Sequence, residues 1–236
     1  MAGPMQQLKR STEIKRRIAT GETGYPRCVV LDCQQATAAR DGVGLNRNYC
    51  KAHGEHYKRH GSYSKASYKA AQLNPMKAIA LAWLKANEAA LEVQEALDKV
   101  RTLLWRGTPE EAFRLAGKSP EERSRIVWAR LRMHKVQAAD ILAIWVAVEL
   151  CHAADPQPER KRHFRRVQAG KALHRLSGGS HKRWESERDD GSIAVTELHR
   201  YPVSRGRVLV HLGEALEKAA QPVNKRLLDI AHVDRD

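Results

Sequence analysis

Cys28-Val-Val-Leu-Asp-Cys33, answered further along by Cys50-Lys-Ala-His53, decides how the N-terminal part of this chain folds. Three thiols and one imidazole at C-x4-C and C-x2-H spacing suit one tetrahedral zinc ion. Cys28 and Cys33 can close a short knuckle around a metal. Cys50 and His53 fall within one helical turn, so both side chains can reach the same atom. With all four positions filled by protein there is no open site for water, and the expected role of Zn2+ is structural. A segment this short lacks the apolar surface for a core of its own, so binding and folding are expected to be one event.

Outward from the cluster the chain is basic on both sides. Upstream, Lys9, Arg10, Lys15, Arg16 and Arg17 surround Leu8, Ile14 and Ile18, and residues 1–24 read as a basic N-terminal helix broken by Gly24-Tyr-Pro. Between the cysteine pairs, Ala39-Arg-Asp-Gly42-Val-Gly44 reads as a turn. Downstream, His53 is followed by Gly-Glu-His-Tyr-Lys-Arg-His-Gly61-Ser-Tyr, in which cations alternate with aromatic rings. That mixture suits a surface for phosphates and bases. Arg47, Lys51, Lys58, Arg59 and His60 are the candidate nucleic-acid contacts of this part.

The whole chain carries the same bias: 236 residues with a formal net charge of +15, which favours polyanionic partners. Hydrophobic residues make up 42%, enough for a core, while 29% charged residues and two Phe point to solvated helices. Cys151 stands apart from the cluster, which suits a reducing, cytoplasmic setting better than a disulfide framework. The N-terminus has no apolar stretch of signal-peptide type. Ile141–Val148, the most apolar run, is far short of the ~20 residues that span a bilayer, so no membrane is expected as a partner.

The ligand pattern together with Arg59-His60-Gly61 resembles a small zinc module of phage and mobile-element DNA-binding proteins, which often stands beside HNH homing-endonuclease domains. Cys28, Cys33, Cys50 and His53 match its metal positions, and Arg59, His60 and Gly61 match its tail. The sequence departs from the module at Gly54, where Tyr usually follows the zinc histidine, and at His56, where Arg is usual. The resemblance covers residues 25–62 and implies association with double-stranded DNA in a bacterial host cell, without implying a particular activity.

Beyond the module the chain reads as helical. From Asn74-Pro75, Met76, Ile79, Trp83, Ala86, Ala90, Val93, Leu97, Val100 and Leu104 recur at alternating three- and four-residue steps, predicting one long helix with a coiled-coil seam. Thr108-Pro-Glu-Glu111 and Ser119-Pro-Glu-Glu122 both have the form of a capping box with proline at the first helical position. The second opens a run from Arg123 to His152 with its own seam at Val127, Leu131, His134, Ala138, Ile141, Trp145 and Val148. Two matching seams predict an antiparallel hairpin over 74–155. The alternative is a homodimer through Met76–Leu104.

Asp155-Pro-Gln-Pro158 reads as a linker into a basic C-terminal region, 156–236. There Glu159 to Leu176 predicts a helix with Arg162, Arg165, Arg166 and Arg175 near one face and Phe164, Val167 and Leu173 on the other. Such a helix can lie along a phosphate backbone, which makes these four arginines further candidate contacts. His181 to Gly191 reads as a polar loop, Ser192–Leu198 as half of a small β-hairpin, and Arg205 to Ala220 as a final amphipathic helix stopped by Pro222. Leu227, Leu228 and Ile230 read as a tail that docks back onto the bundle. The expected fold is therefore mainly α: a zinc knuckle, a long-helix hairpin or bundle, and a basic helical end with one small β-hairpin.

No phosphate-cradling glycine loop, nucleophile elbow or H-E-x-x-H helix is present. The reading is a non-catalytic, zinc-containing nucleic-acid-binding protein. An HNH-type nuclease is the enzymatic alternative, prompted by Asn46, Asn48, His53, His56 and His60, but His53 is already taken by zinc. A helical adaptor for an acidic protein partner, such as host transcription machinery, is the third reading.

Overall fold

The computed structural model describes residues 12, 27–37, 48–188, 192–224 and 226. The basic segment before the cluster, the Ala39–Gly44 turn, Arg47, Asp189-Asp190 and the Leu227–Ile230 tail lie outside these. The chain divides into two compact units, Met1–Tyr57 and Lys58–Asp236. Among the described residues there are seven α-helices and one two-stranded antiparallel sheet. They are α1 (Lys51–His60), α2 (Ala70–Ala86), α3 (Leu91–Leu104), α4 (Pro120–Met133), α5 (Ala138–Ala153), α6 (Arg162–Leu176), β1 (Ser180–Glu187), β2 (Ile193–Arg200) and α7 (Arg207–Asn224).

The second unit is built around α5. Every residue from Ile141 to Val148 is buried, so this helix is apolar on all sides and must be surrounded. It packs against α2, α3, α6 and α7, with Trp145 donating its indole N–H to Asn224 Oδ1 at 2.9 Å. Residues from both sides of Asp155-Pro-Gln-Pro158 contribute to this one core, from Ala80 to Val223. The proline-rich segment is a corner that is tied down rather than a loose tether. Lys65 pairs with Asp155 at 2.6 Å and donates to the Gln157 carbonyl, Tyr68 donates to Asp155, and Ser62 donates to Glu159.

Both long helices expected from the seams are broken. The first stops at Asn87, whose backbone and side-chain N–H groups both bond the Trp83 carbonyl, and the chain resumes as α3. Val93, Leu97 and Val100 of the seam lie in this chain's own core. The second break follows α4. His134 caps the helix and Lys135 takes a left-handed φ of 55°. The Val136 N–H then bonds the Leu131 carbonyl and the Lys135 N–H bonds that of Arg132. This is a Schellman motif with lysine where glycine is usual. Breaking each seam lets four shorter helices wrap around a round core in place of a two-helix coiled coil.

Of the two expected capping boxes, Ser119/Glu122 forms: Ser119 Oγ accepts the Glu122 N–H at 3.2 Å and Glu122 Oε2 accepts the Ser119 N–H at 2.8 Å. Thr108-Pro-Glu-Glu111 starts no α-helix, and one 3₁₀ turn, Ala112–Arg114, follows it. Its carboxylates are drawn elsewhere, Glu110 to Lys118 at 2.8 Å and Glu111 to Lys182 at 2.9 Å. The stretch expected as a polar loop after His181 is strand β1, paired with β2 from Ser180↔Arg200 to Glu187↔Ile193. The last helix runs through Pro222 to Asn224. Proline near its end forfeits only one intrahelical bond.

His174 on α6 is buried, and burial, aided by the Arg130 charge, brings its imidazole down to about 4 from an ordinary 6.5. The unfolded chain therefore takes up this proton first on acidification. The stabilising effect is complete above about pH 6.5 and is lost as pH falls towards 4, amounting to about 3 kcal/mol. Urea midpoints at pH 7 and pH 4 should show that loss in the native chain and not in His174→Phe; parallel profiles for the two would contradict it.

Candidate metal centre

The cluster begins with a miniature hairpin. Arg27 and Ala36 form an isolated antiparallel bridge, and the Cys28 N–H bonds the Gln35 carbonyl at 3.0 Å. Inside it the Cys33 N–H bonds the Val30 carbonyl at 3.0 Å, with Asp32 in the left-handed region at φ 61°. Aspartate is among the few residues that tolerate this conformation. The loop swings Cys28 and Cys33 to one side and leaves Val29 and Leu31 exposed. The Val29 N–H reaches the Asn48 carbonyl at 2.9 Å, joining the hairpin to the chain just before Cys50.

Cys50 immediately precedes α1. Its carbonyl accepts the Gly54 N–H at 2.9 Å, and its sulfur accepts the His53 N–H at 3.5 Å. A sulfur at this place stands against the positive end of the helix. His53, one turn on, turns Nδ1 to the sulfurs: 3.3 Å to Cys28 Sγ and 3.2 Å to Cys50 Sγ, with Cys33 Sγ 4.0 Å from Cys50 Sγ. All four donor atoms lie within 4.8 Å of one another. A tetrahedral ion at ~2.3 Å from sulfur and ~2.0 Å from nitrogen sets S···S near ~3.8 Å and S···N near ~3.6 Å. The S···N separations fall a few tenths of an ångström short of the ideal and the S···S separation slightly beyond it, so Cys28, Cys33, Cys50 and His53 lie close enough to bind one metal ion. Cys28 and Cys50 are buried, and Cys33 and His53 half-buried.

The local field prepares the donors unequally. Burial pushes the Cys28 thiol up, but hydrogen bonds from the Cys50 and Val30 backbone and from His53 and Cys33 outweigh it, bringing it to about 7. For Cys33 the Gln35 backbone pulls downward, while burial and the two neighbouring cysteines leave the thiol raised. Cys28 thus forms a thiolate more readily than Cys33. Cys151, by contrast, is buried in the second unit, where burial and Asp155 push its thiol up to about 11, and it bonds the Gln72 carbonyl. It belongs to no group of metal donors among the described residues.

The candidate nucleic-acid contacts are placed very differently from one another. Lys51, Lys58 and Arg59 are exposed on α1, whose last turn holds Lys58, Arg59 and His60. The His60 ring is a clasp: Nδ1 accepts the Ser67 N–H at 3.0 Å and lies 2.9 Å from Ser67 Oγ, while its carbonyl accepts the Gln168 amide at 2.7 Å. On α6, Arg162 Nε and Arg166 Nε both bond the buried Glu217 carboxylate, and Arg165 bonds Glu149 at 2.8 Å. Phe164, Val167 and Leu173 are buried as expected. The arginine face is therefore engaged by acids of α7 and α5. Of the four, Arg175 is exposed and has no ion pair among the described residues. Sequence reading also missed Arg123, His174 and Arg200, which line one cleft, and the buried Arg130. The recurrence of Arg123, Val127 and Arg130 at one-turn spacing was the available signal.

Among the described residues no helix is long and apolar enough to cross a membrane. Comparison with family models, curated proteins and solved structures returns no match to this chain.

Proposed function

We propose that Cys28, Cys33, Cys50 and His53 hold one structural zinc ion, and that the protein is a non-catalytic nucleic-acid-binding factor acting on double-stranded DNA. The observation that carries the zinc assignment is the convergence of three sulfurs and one imidazole nitrogen within 4.8 Å of one another. A set rich in thiolates selects zinc over the hard cations, and four protein donors leave no position for an activated water. Zinc so held ties residues 27–37 to the start of α1.

The nucleic-acid reading rests on the +15 charge and on the exposed Lys51, Lys58 and Arg59 of α1. Arg175 adds a candidate contact, whereas Arg162, Arg165 and Arg166 already have carboxylate partners, so the footprint is smaller than the sequence suggests. In a salt titration with a random-sequence duplex, log affinity is expected to fall linearly with log salt. Arg59→Ala is expected to reduce that slope by about 1. A duplex affinity indifferent to salt, or no duplex binding at low salt, would remove this reading in favour of an adaptor for a protein partner. The adaptor draws its support from the exposed Trp184, Val195 and Leu198 of the β-ribbon.

A further inference from the structure

Arg123, Val127 and Arg130 succeed one another along one face of α4, two arginines pointing where a bundle normally places apolar side chains. Arg130 is 1% exposed. Its Nη2 donates to the carbonyls of Gly178 and Gly179 at 2.8 and 2.6 Å, yet Nε and Nη1 have no partner among the described residues. Arg123 Nε is likewise buried and unpartnered. Neither residue forms an ion pair among the described residues. The nearby acid Glu111 is already paired with Lys182. A guanidinium held out of water without a counter-charge costs several kcal/mol.

Arg123 lines a cleft of about 150 Å³ between α4, α6 and the segment that follows β2, and the Arg130 charge bears on His174, which also lines it. Arg123 and Arg200 line it together with His174 and Tyr201, and Val127 and Val203 supply apolar wall. Arg200 is fixed from outside the cleft by the face of Phe113, 5.7 Å from its guanidinium carbon. Tyr201 is held against Gly179, where any Cβ would come within 2.7 Å of its ring. No carboxylate lines the cleft. The volume matches about five waters, room for a ligand of a few heavy atoms.

We propose that this cleft binds a small organic oxyanion, a carboxylate or phosphate on a short apolar body, gripped between Arg123 and Arg200 with Arg130 supplying charge from behind. The guanidinium fork matches either head group. His174, neutral at pH 7, offers a ring N–H or lone pair without adding a competing charge. The site is independent of the metal cluster and of duplex binding.

The test is isothermal titration of the full chain with inorganic phosphate and, separately, with isobutyrate, sodium chloride being adjusted to constant ionic strength. At least one probe is expected to bind saturably, and R123Q and R200Q each to weaken it roughly tenfold or more. R101Q, which removes an equal charge from an exposed Asp98 pair, is expected to bind as the native chain does. R200Q alters an exposed strand residue, so it stays informative if R123Q folds poorly. Which probe saturates at lower concentration identifies the head group. Absence of saturable binding by both probes, equal binding by R200Q and the native chain, or an equal loss in R101Q would overturn the proposal.

Discussion

Gly213→Ala should lower the stability of the helical unit by about 3 kcal/mol or more, shifting its melting midpoint by roughly 6–12 °C. A Cβ on Gly213 would sit 1.9 Å from the Arg166 carbonyl oxygen, and one on Gly170 would sit 2.0 Å from that of Leu209. Each glycine faces the backbone of the opposite helix, so no rotamer change can relieve the clash. The helices α6 and α7 would have to part, opening the layer formed by Val167, Leu209, Leu212 and Leu216. The same crossing places Glu217 against Arg162 and Arg166, so parting would also strand a buried carboxylate. Thermal melts followed by circular dichroism check this; an unchanged midpoint would mean that the two helices do not cross backbone to backbone.

Cys50→Ser carries the second large effect, and it is local. The Cys50 sulfur lies 3.2 Å from His53 Nδ1, 4.0 Å from Cys33 Sγ, and accepts the first-turn N–H of His53. A serine hydroxyl stays protonated at pH 7 and is a poor ligand, so the proposed zinc ion would lose one of its three thiolates. Structural zinc in short peptides supplies an apparent ~10–16 kcal/mol, far more than the hydrogen bonds from Arg27 to Gly54 can replace. Bound metal is expected to fall from one per chain to below a tenth, with amide protection of residues 27–37 lost while the helical unit melts as before. Retention of full metal content by this variant would contradict the ligand assignment.

The Cys28, Cys33, Cys50 and His53 cluster could be read from the sequence because each half of it is local: two cysteines across a turn, and a cysteine and histidine one turn apart. Ser119-Pro-Glu-Glu122 was legible for the same reason, since its partners are three residues apart. What escaped were features decided at long range or by atypical residues. The break at Lys135 lacks the glycine that signals a Schellman motif. Strand β1, Ser180–Glu187, carries one large apolar side chain, Trp184, and is a strand because β2 pairs with it. The role of Arg162, Arg165 and Arg166 was hidden because Glu217 and Glu149 reach them from other helices. Gly170 and Gly213 were the overlooked clue: a mid-helix glycine costs about 1 kcal/mol against alanine and so marks a close backbone approach, which no solvated phosphate-binding helix needs.

The proposed zinc ion would join all four side chains of the N-terminal cluster. This assignment is tested most directly by metal analysis of the purified chain coupled to X-ray absorption at the zinc edge. The account predicts one zinc per chain with three sulfur neighbours at ~2.3 Å and one nitrogen at ~2.0 Å; a metal-free protein, or a zinc shell made of oxygen and nitrogen alone, would contradict it.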